Sequence, residues 1–226
     1  IAEFARSVFS QTYPHVQFIF VNDGTKDNSI QVLNDVIDNE FPALRDRIVI
    51  VDKKNGGLPA ARKTGLEYVT GDYVYHVDPD DWLTPGSFEA IAATASVTDA
   101  DIIFFNYVRE YADRSSIKKE KPYTVQDKAQ YIRNMYNHRA FGTLCNKCVK
   151  RSLYLEHELH HPKYSYAEDC YLSVQLVGRA KTLAYLDMDI YHYRKNNPNS
   201  ITRQGRKRRK EEYALKFLDL YEKNRN

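Results

Sequence analysis

The sequence is poor in cysteine and glycine and has no long hydrophobic run. Three cysteines among 226 residues make no disulfide framework and favour a reducing, cytosolic setting. No stretch reaches the roughly 18 to 20 apolar residues of a membrane helix, and the first residues lack the pattern of a signal peptide. We therefore expect neither feature. Nine glycines against 18 tyrosines and ten phenylalanines exclude a disordered or fibrous chain, because the apolar area offsets the ordering entropy.

Most of the chain also lacks an excess of positive charge. The net charge is +3, and residues 203–226 hold nine Lys or Arg against four Asp or Glu. A near-neutral body has no clustered cations for phosphate contacts, so we predict no nucleic-acid partner. The alternative is nucleic-acid binding through the basic tail alone, which strong salt-dependent binding of oligonucleotides would indicate.

Apolar runs of strand length alternate with helical periodicity in the first half. The runs predict strands at 16–21, 48–51, 73–77 and 102–107. Continuous apolar strands separated by helices predict an α/β fold, with a mostly parallel sheet and helices on both faces. In such folds ligands bind at the carboxyl ends of the strands.

The second half is less regular but contains no low-complexity linker. Helices are predicted at 125–138, 150–157 and 169–177, and strand at 182–193 with a break at 187–189. We predict one domain, residues 1–203, with a nucleotide-binding half at about 1–111 and an acceptor half at about 112–203. A basic C-terminal helix is predicted at 204–226.

Carboxylates follow two of the predicted strands. Asp23 ends the first strand, and Asp78 and Asp80 end the third. A D-x-D pair by itself also fits a solvated turn that caps the next helix. Because both strand ends reach one crevice, we favour a site for a hard divalent cation, which prefers oxygen ligands and bridges to phosphate.

Several motifs, in order and spacing, resemble the inverting family 2 glycosyltransferases, which have the GT-A fold. The similarity covers about residues 8–203. The matching segments are Gln11-Thr12-Tyr13, Val21-Asn22-Asp23-Gly24-Thr25, Asn55-Gly56-Gly57 with Arg62, Asp78-Pro79-Asp80-Asp81-Trp82, Asn146-Lys147, Glu168-Asp169, and Tyr193-Arg194 followed by Ser200.

The resemblance implies roles on the donor side of a site. Asp23 would contact the nucleotide base, and Asp78 would lie near the ribose or the metal-bound waters. Asp80 would bind Mn²⁺ or Mg²⁺ on the sugar diphosphate, where a cation offsets the charge of the leaving group. Arg62, Arg194 and Ser200 would donate hydrogen bonds to the same oxygens.

The resemblance also implies a general base for the acceptor hydroxyl. Asp169 matches that position, at the start of a predicted helix whose dipole favours the ionised form. The alternative is that Asp169, with Glu168, is only an acidic first turn.

The sequence departs from the family at three points. Its first residues match the helix that follows the family's first apolar strand, so we expect that strand to be missing, with donor affinity and stability affected. Pro198 stands where several members carry a metal-binding His, and the nearby His192 is expected to be structural. The basic run 206–210 is consistent with the start of another module.

A zinc reading of Cys145 and Cys148 with His157 and His161 is disfavoured. The central gap of eight residues is short for a zinc finger.

The predicted function is metal-dependent, inverting transfer from a nucleotide-diphosphate sugar, with UDP-sugars favoured. The acceptor would be a hydroxyl of a glycan or lipid-linked molecule in cell-surface or capsular polysaccharide synthesis. The alternative is a non-catalytic nucleotide-sugar-binding fragment. The expected location is the cytoplasm, including the inner face of the membrane. The basic helix would either lie on anionic lipid or pack on the domain.

Overall fold

The computed structural model describes residues 1–156, 159–162 and 167–195. Helices are numbered in chain order: α1 Ala2–Phe9, α2 Ser29–Glu40, α3 Leu58–Leu66, α4 Ser87–Thr98, α5 Lys128–Tyr136, α6 Ser152–Leu155 and α7 Glu168–Arg179. Short 3₁₀ helices span Pro42–Arg47 and Val125–Asp127. The strands are β1 Phe18–Asn22, β2 Ile48–Asp52, β3 Tyr73–Tyr75, β4 Trp82–Leu83, β5 Ile102–Glu110, β6 Ser115–Lys118, β7 Lys147–Lys150 and β8 Leu183–Arg194.

The strands form two sheets. β1 and β2 pair in parallel, and the other six strands follow the order β3-β7-β5-β8-β4, with β6 beside β5. The two longest pairings, β1 with β2 and β5 with β8, are parallel, whereas the four shorter pairings are antiparallel. The α/β architecture is therefore confirmed, with antiparallel additions in the second half.

Strand β5 shows why both faces of the larger sheet are covered by helices. Ile102 and Phe104 enter the core cluster that contains residues of α5 and α7, while Ile103 and Phe105 enter the cluster that contains residues of α1 and α2. All four are 0% exposed. Successive side chains of a strand point to opposite faces, so a continuous apolar run requires two covered faces.

Three short strands were not predicted, namely β4, β6 and β7. β4 has two residues, and β6 has the sequence SSIK with one apolar residue, so neither has a period-two apolar pattern. β7 contains Lys147, and although a lysine is unusual in a central strand, β7 pairs with both β3 and β5. The strand at 182–193 is confirmed, and its predicted break corresponds to register shifts opposite Phe105, Asn106 and Tyr107.

A large cavity separates the two sheets. Residues of β1 and β3 line the same space of about 1730 Å³, together with apolar side chains of α1 and α4. Among the residues that the structure describes, β1 pairs only with β2 and β3 pairs only with β7. The cavity extends to Asp23, Asp78 and Asp80, so the space between the sheets opens onto the strand ends that carry the predicted site.

Within those same residues, no helix combines the length and apolar character needed to cross a membrane. Ser200, Pro198, His157 and the predicted helix 204–226 lie outside the described residues. The division into nucleotide-binding and acceptor halves stays a prediction.

Candidate active site

The turn after β3 carries Asp78 and Asp80 and is held in place by the next residue, Asp81. Asp81 is fully buried and accepts hydrogen bonds from the Tyr191 hydroxyl and from the backbone amide of Arg194, the latter at 2.8 Å. Burial raises the pKa of Asp81 to about 7, although both hydrogen bonds favour the ionised carboxylate. These contacts between the turn and β8 hold Asp78 and Asp80 at the edge of the crevice.

Arg62 lies at the centre of the carboxylate cluster. It comes from α3, and its side chain is only 7% exposed. One terminal nitrogen donates to Asp78 at 3.1 Å, and the other donates to Asp169 at 2.9 Å and to Glu168. Burial opposes the charge, but the nearby carboxylates of Asp169 and Asp78 raise the pKa of Arg62 above its ordinary value.

Asp169 and Glu168 open helix α7, which begins one residue earlier than predicted. The Asp169 side chain is 28% exposed, whereas that of Glu168 is 0% exposed. One oxygen of Glu168 contacts Arg62, and the other has no hydrogen-bond partner among the residues that the structure describes. Asp169 is thus more than a solvated first-turn acid, because it is paired across the crevice with a buried guanidinium.

The loop that leads into β7 packs against the start of α7. Buried Lys147 donates from Nζ to the carbonyls of Phe141 and Thr143, both at 2.8 Å, and to Asn146. Burial lowers the pKa of Lys147 to about 8. A Cβ added at Gly142 would lie 2.6 Å from Sγ of Cys170. The Asn146-Lys147 motif therefore shapes the loop beside Asp169.

Asp23 holds the loop that begins α3. Its oxygens accept hydrogen bonds from Lys53 Nζ at 2.5 Å, from the amide of Gly56 at 2.9 Å and from the amide of Gly57 at 2.7 Å. Burial acts to raise the pKa of Asp23, but these donors hold it below its ordinary value. Gly57 has a φ of 83°, which glycine adopts without steric cost.

Arg194, at the end of β8, lies beside the Asp80 turn. Its Nε donates to the Asp80 carbonyl at 3.0 Å, a terminal nitrogen donates to Glu3 at 2.5 Å, and its guanidinium lies 4.7 Å from the Trp82 ring centre. His192, two residues earlier, stacks on Trp82 with ring centres 5.2 Å apart.

The side-chain nitrogens of His192 contact Glu110 at 2.7 Å and Thr84 at 2.9 Å. These contacts agree with the structural role expected of this histidine.

The carboxylates fit a cation that is shared with a substrate. No group of three or more His, Cys, Asp or Glu side chains in residues 1–156, 159–162 and 167–195 is arranged to hold a metal ion. Mg²⁺ in phosphate sites commonly takes one or two protein carboxylates, and the remaining ligands are water and phosphate oxygens. Asp80 and Asp78 supply that donor chemistry. Cys145 and Cys148 are buried free cysteines, and His157 of the disfavoured zinc reading lies outside the described residues.

Two polar residues of this region were given no role by the sequence reasoning. Lys53, directly after β2, pairs with Asp23, and Asp81 anchors the turn that carries Asp80. Lys53 directly follows β2 and Asp81 directly follows Asp80, so the positions of both in the sequence could have indicated that they lie near the site. Their partners were not visible, because each contact spans at least 30 residues.

The family comparison matches this arrangement. The model of the family described as "Glycosyl transferase family 2" matches residues 1–157, more than half of the chain. The chain belongs to this family. The match contains α3, the Asp80 turn and β7, while Asp169 lies beyond it.

Curated relatives are similarly named glycosyltransferases of bacteria. The chain is 28% identical over 207 residues to "Putative glycosyltransferase EpsH" of Bacillus subtilis, covering 89% of this chain and 58% of the relative. It is 29% identical over 199 residues to "Glycosyltransferase GlyA" of Streptococcus pneumoniae, covering 83% of this chain and 27% of the relative. This family 2 chain therefore spans little more than half of EpsH and a smaller part of GlyA.

Solved structures share the fold. The S. aureus TarS 1–349 structure in complex with UDP-GlcNAc has a TM-score of 0.76 and 18% identity, covering 96% of this chain and 62% of TarS. The mannosyltransferase PcManGT of Pyrobaculum calidifontis, in complex with GDP-Man and Mn²⁺, has a TM-score of 0.60 and 17% identity, covering 85% and 52%. The GT-A fold that the family resemblance implied is confirmed.

Proposed function

We propose that this family 2 domain transfers a sugar, with inversion, from a nucleotide-diphosphate sugar to an acceptor hydroxyl. One observation carries the proposal most strongly. Arg62 contacts Asp78 at 3.1 Å and Asp169 at 2.9 Å, so a carboxylate after β3 and a carboxylate at the start of α7 share one site. Inverting transfer needs a base on the acceptor side, and a carboxylate on the donor side can hold the cation that stabilises the leaving diphosphate.

The proposed base is Asp169. It would take the proton from the acceptor hydroxyl as that oxygen attacks C1 of the sugar from the face opposite the diphosphate. The bond from C1 to the diphosphate oxygen breaks, and the nucleoside diphosphate leaves with the bonding electron pair. Partial exposure of Asp169, at 28% of its side chain, would leave the carboxylate accessible to an acceptor.

The donor side would be formed by the strand ends. Asp23 and the Gly56-Gly57 loop lie at the end of β1 and the start of α3, where a nucleotide would bind. Asp80, with Asp78, would hold Mn²⁺ or Mg²⁺, which would stabilise negative charge on the leaving diphosphate. Arg194 lies against the Asp80 turn, and Ser200 is proposed to assist it.

UDP-sugars are the favoured donors, and the solved complexes of TarS with UDP and with UDP-GlcNAc support this choice. The proposed acceptor is a glycan or lipid-linked hydroxyl in cell-surface polysaccharide synthesis. We propose a cytoplasmic location, with membrane contact through residues 204–226.

The test is calorimetric titration of UDP with and without Mn²⁺, on the wild type and on Asp80→Asn. We expect Mn²⁺-assisted binding that the substitution weakens at least about tenfold, about 1.4 kcal/mol. Asp46→Asn is the matched control, since Asp46 is an exposed aspartate in the 3₁₀ helix Pro42–Arg47 that precedes β2. Equal binding of wild type and Asp80→Asn would contradict the metal assignment.

Turnover is tested separately as nucleotide release from a panel of UDP-sugars and GDP-mannose, with water in place of the acceptor. We expect Asp169→Asn to bind UDP as the wild type does and to release at least about 100-fold less product. Release at the wild-type rate would show that Asp169 is not the base.

A second candidate function is nucleotide-sugar binding without turnover. The cavity between β1 and β3, which reaches Asp23 and Asp78, favours it, because within the described residues each of these strands has only one partner and a donor pocket beside them is weakly constrained. Metal-assisted UDP binding with no release from any donor would select this alternative.

A further inference from the structure

We infer that Arg62 is a positioning residue for Asp169 and does not bind the donor diphosphate. The inference rests on the proposed function and changes the role that the family resemblance gave to Arg62. In this role, Arg62 places the carboxylate of Asp169 relative to the turn after β3.

The contacts of Arg62 join three separate parts of the fold. Its guanidinium belongs to α3, reaches Glu168 and Asp169 at the start of α7, and reaches Asp78 after β3. These partners lie 106, 107 and 16 residues away in the sequence. A planar fork that binds several carboxylates restrains their relative orientation, which a single ammonium group does less well.

Burial and charge both argue against a diphosphate ligand. The guanidinium side chain is 7% exposed, which leaves little of it accessible to a substrate. Three carboxylates surround this one cation. A phosphate that approached Arg62 would meet their negative charge, so the cluster is unfavourable for an anion.

Glu168 explains why Arg62 stays in place. Its side chain is 0% exposed and pairs with the guanidinium, and a buried carboxylate without its partner is strongly unfavourable. Glu168 and Asp169 contact the same terminal nitrogen of Arg62. The buried pair with Glu168 therefore anchors Arg62, and the anchored Arg62 orients the more exposed Asp169.

The test compares Arg62→Lys with the wild type in two assays. Lysine keeps the charge that Glu168 needs but cannot bind the carboxylates as a fork. We expect UDP affinity in Mn²⁺ to stay within about twofold, while nucleotide release falls about 10- to 100-fold, as a misplacement near 1 Å produces. Lys63→Gln is the control, because Lys63 is an exposed cation on the same helix, and both values should stay at wild type.

A tenfold loss of UDP affinity in Arg62→Lys would overturn the inference and favour the diphosphate role. Unchanged affinity with an unchanged release rate would overturn it as well. If Arg62→Lys does not fold, Arg62→Gln combined with Glu168→Gln removes the buried pair together, and the same split between affinity and rate is expected.

A thermal-unfolding cycle tests the contact without relying on activity. Arg62→Lys and Asp169→Asn are measured singly and together, and we expect the shifts in melting temperature to be non-additive because the residues interact directly. If the shifts in melting temperature are additive and the protein still releases nucleotide, the inference about Arg62 is overturned and the proposed function stands. If the shifts are non-additive but the wild type neither binds UDP nor releases nucleotide, the proposed function is rejected, while the contact between Arg62 and Asp169 is supported.

Discussion

Replacing Gly142 by alanine should displace the start of α7 and thereby reduce turnover. The new Cβ would lie 2.6 Å from Sγ of Cys170, 2.8 Å from its Cβ and 3.1 Å from its Cα. These atoms belong to the first turn of a buried helix, and Asp169 is the preceding residue. Neither a backbone atom nor a short side chain can turn away as the end of a long side chain can.

The size of the displacement follows from the contact distances. Moving Sγ from 2.6 to an ordinary 3.4 Å requires a separation larger by about 0.8 Å. Overpacking of this kind costs about 1–3 kcal/mol of stability. A misplacement near 1 Å at a reacting group costs about 100-fold in rate, so we expect release from a UDP-sugar to fall about 10- to 100-fold.

The assay measures nucleotide release, UDP affinity and urea unfolding of the same preparation. UDP affinity should stay near wild type, because the three atoms nearest to the added Cβ all belong to Cys170 and not to a donor-side residue. Gly178→Ala is the matched control: Gly178 is exposed on the same helix, and its added Cβ would lie 3.9 Å from Ile132. That change should leave the rate intact and add up to about 1 kcal/mol of stability.

The reasoning would be refuted if Gly142→Ala kept both wild-type stability and wild-type rate. It would also be refuted if Cys170→Ala, added to Gly142→Ala, recovered nothing, since that change removes the closest of the clashing atoms.

Three further predictions concern the supports of the site. For Lys147, whose pKa falls from 10.5 to about 8 on folding, the free energy of unfolding relative to Lys147→Met should rise between pH 8 and 10.5, by up to about 3 kcal/mol; a constant difference in urea unfolding would disprove this. Asp23, with its lowered pKa, should stabilise the wild type over Asp23→Asn above pH 4 and lose that advantage as pH falls further; melting temperatures that stay equally separated in acid would count against it. Tyr191→Phe removes a donor from buried Asp81 and should cost about 1–3 kcal/mol in urea unfolding, whereas an unchanged midpoint would show that the hydrogen bond contributes little.

Local pattern predicted the elements that carry the site. The apolar runs of β1, β2 and β5 and the start of α7 were readable because continuous apolar runs and helix periodicity are local signals in the sequence. β7 was not readable, because Lys147 satisfies its charge with carbonyls of the loop before it and so occupies a central strand. Such compensation is a property of the folded neighbourhood.

The candidate site divides in the same way. The positions of Asp23, Asp78 and Asp80 at strand ends and of Asp169 at a helix start follow from the order of the elements. The partners of these residues do not: Asp23 meets Lys53 and two loop amides, whereas the nucleotide contact that the family resemblance implied for it stays a prediction.

The sequence by itself determined the α/β order, the family resemblance and which carboxylates stand at the ends of elements, since these depend on local burial and spacing. Only the tertiary structure decided that Arg62 is surrounded by carboxylates of α7 and the β3 turn, and that β1 and β3 face a common cavity. The physical reason is that charge pairing in a buried site depends on which side chains are brought within about 3–4 Å. Residues more than 100 positions apart reach that distance only when the elements pack.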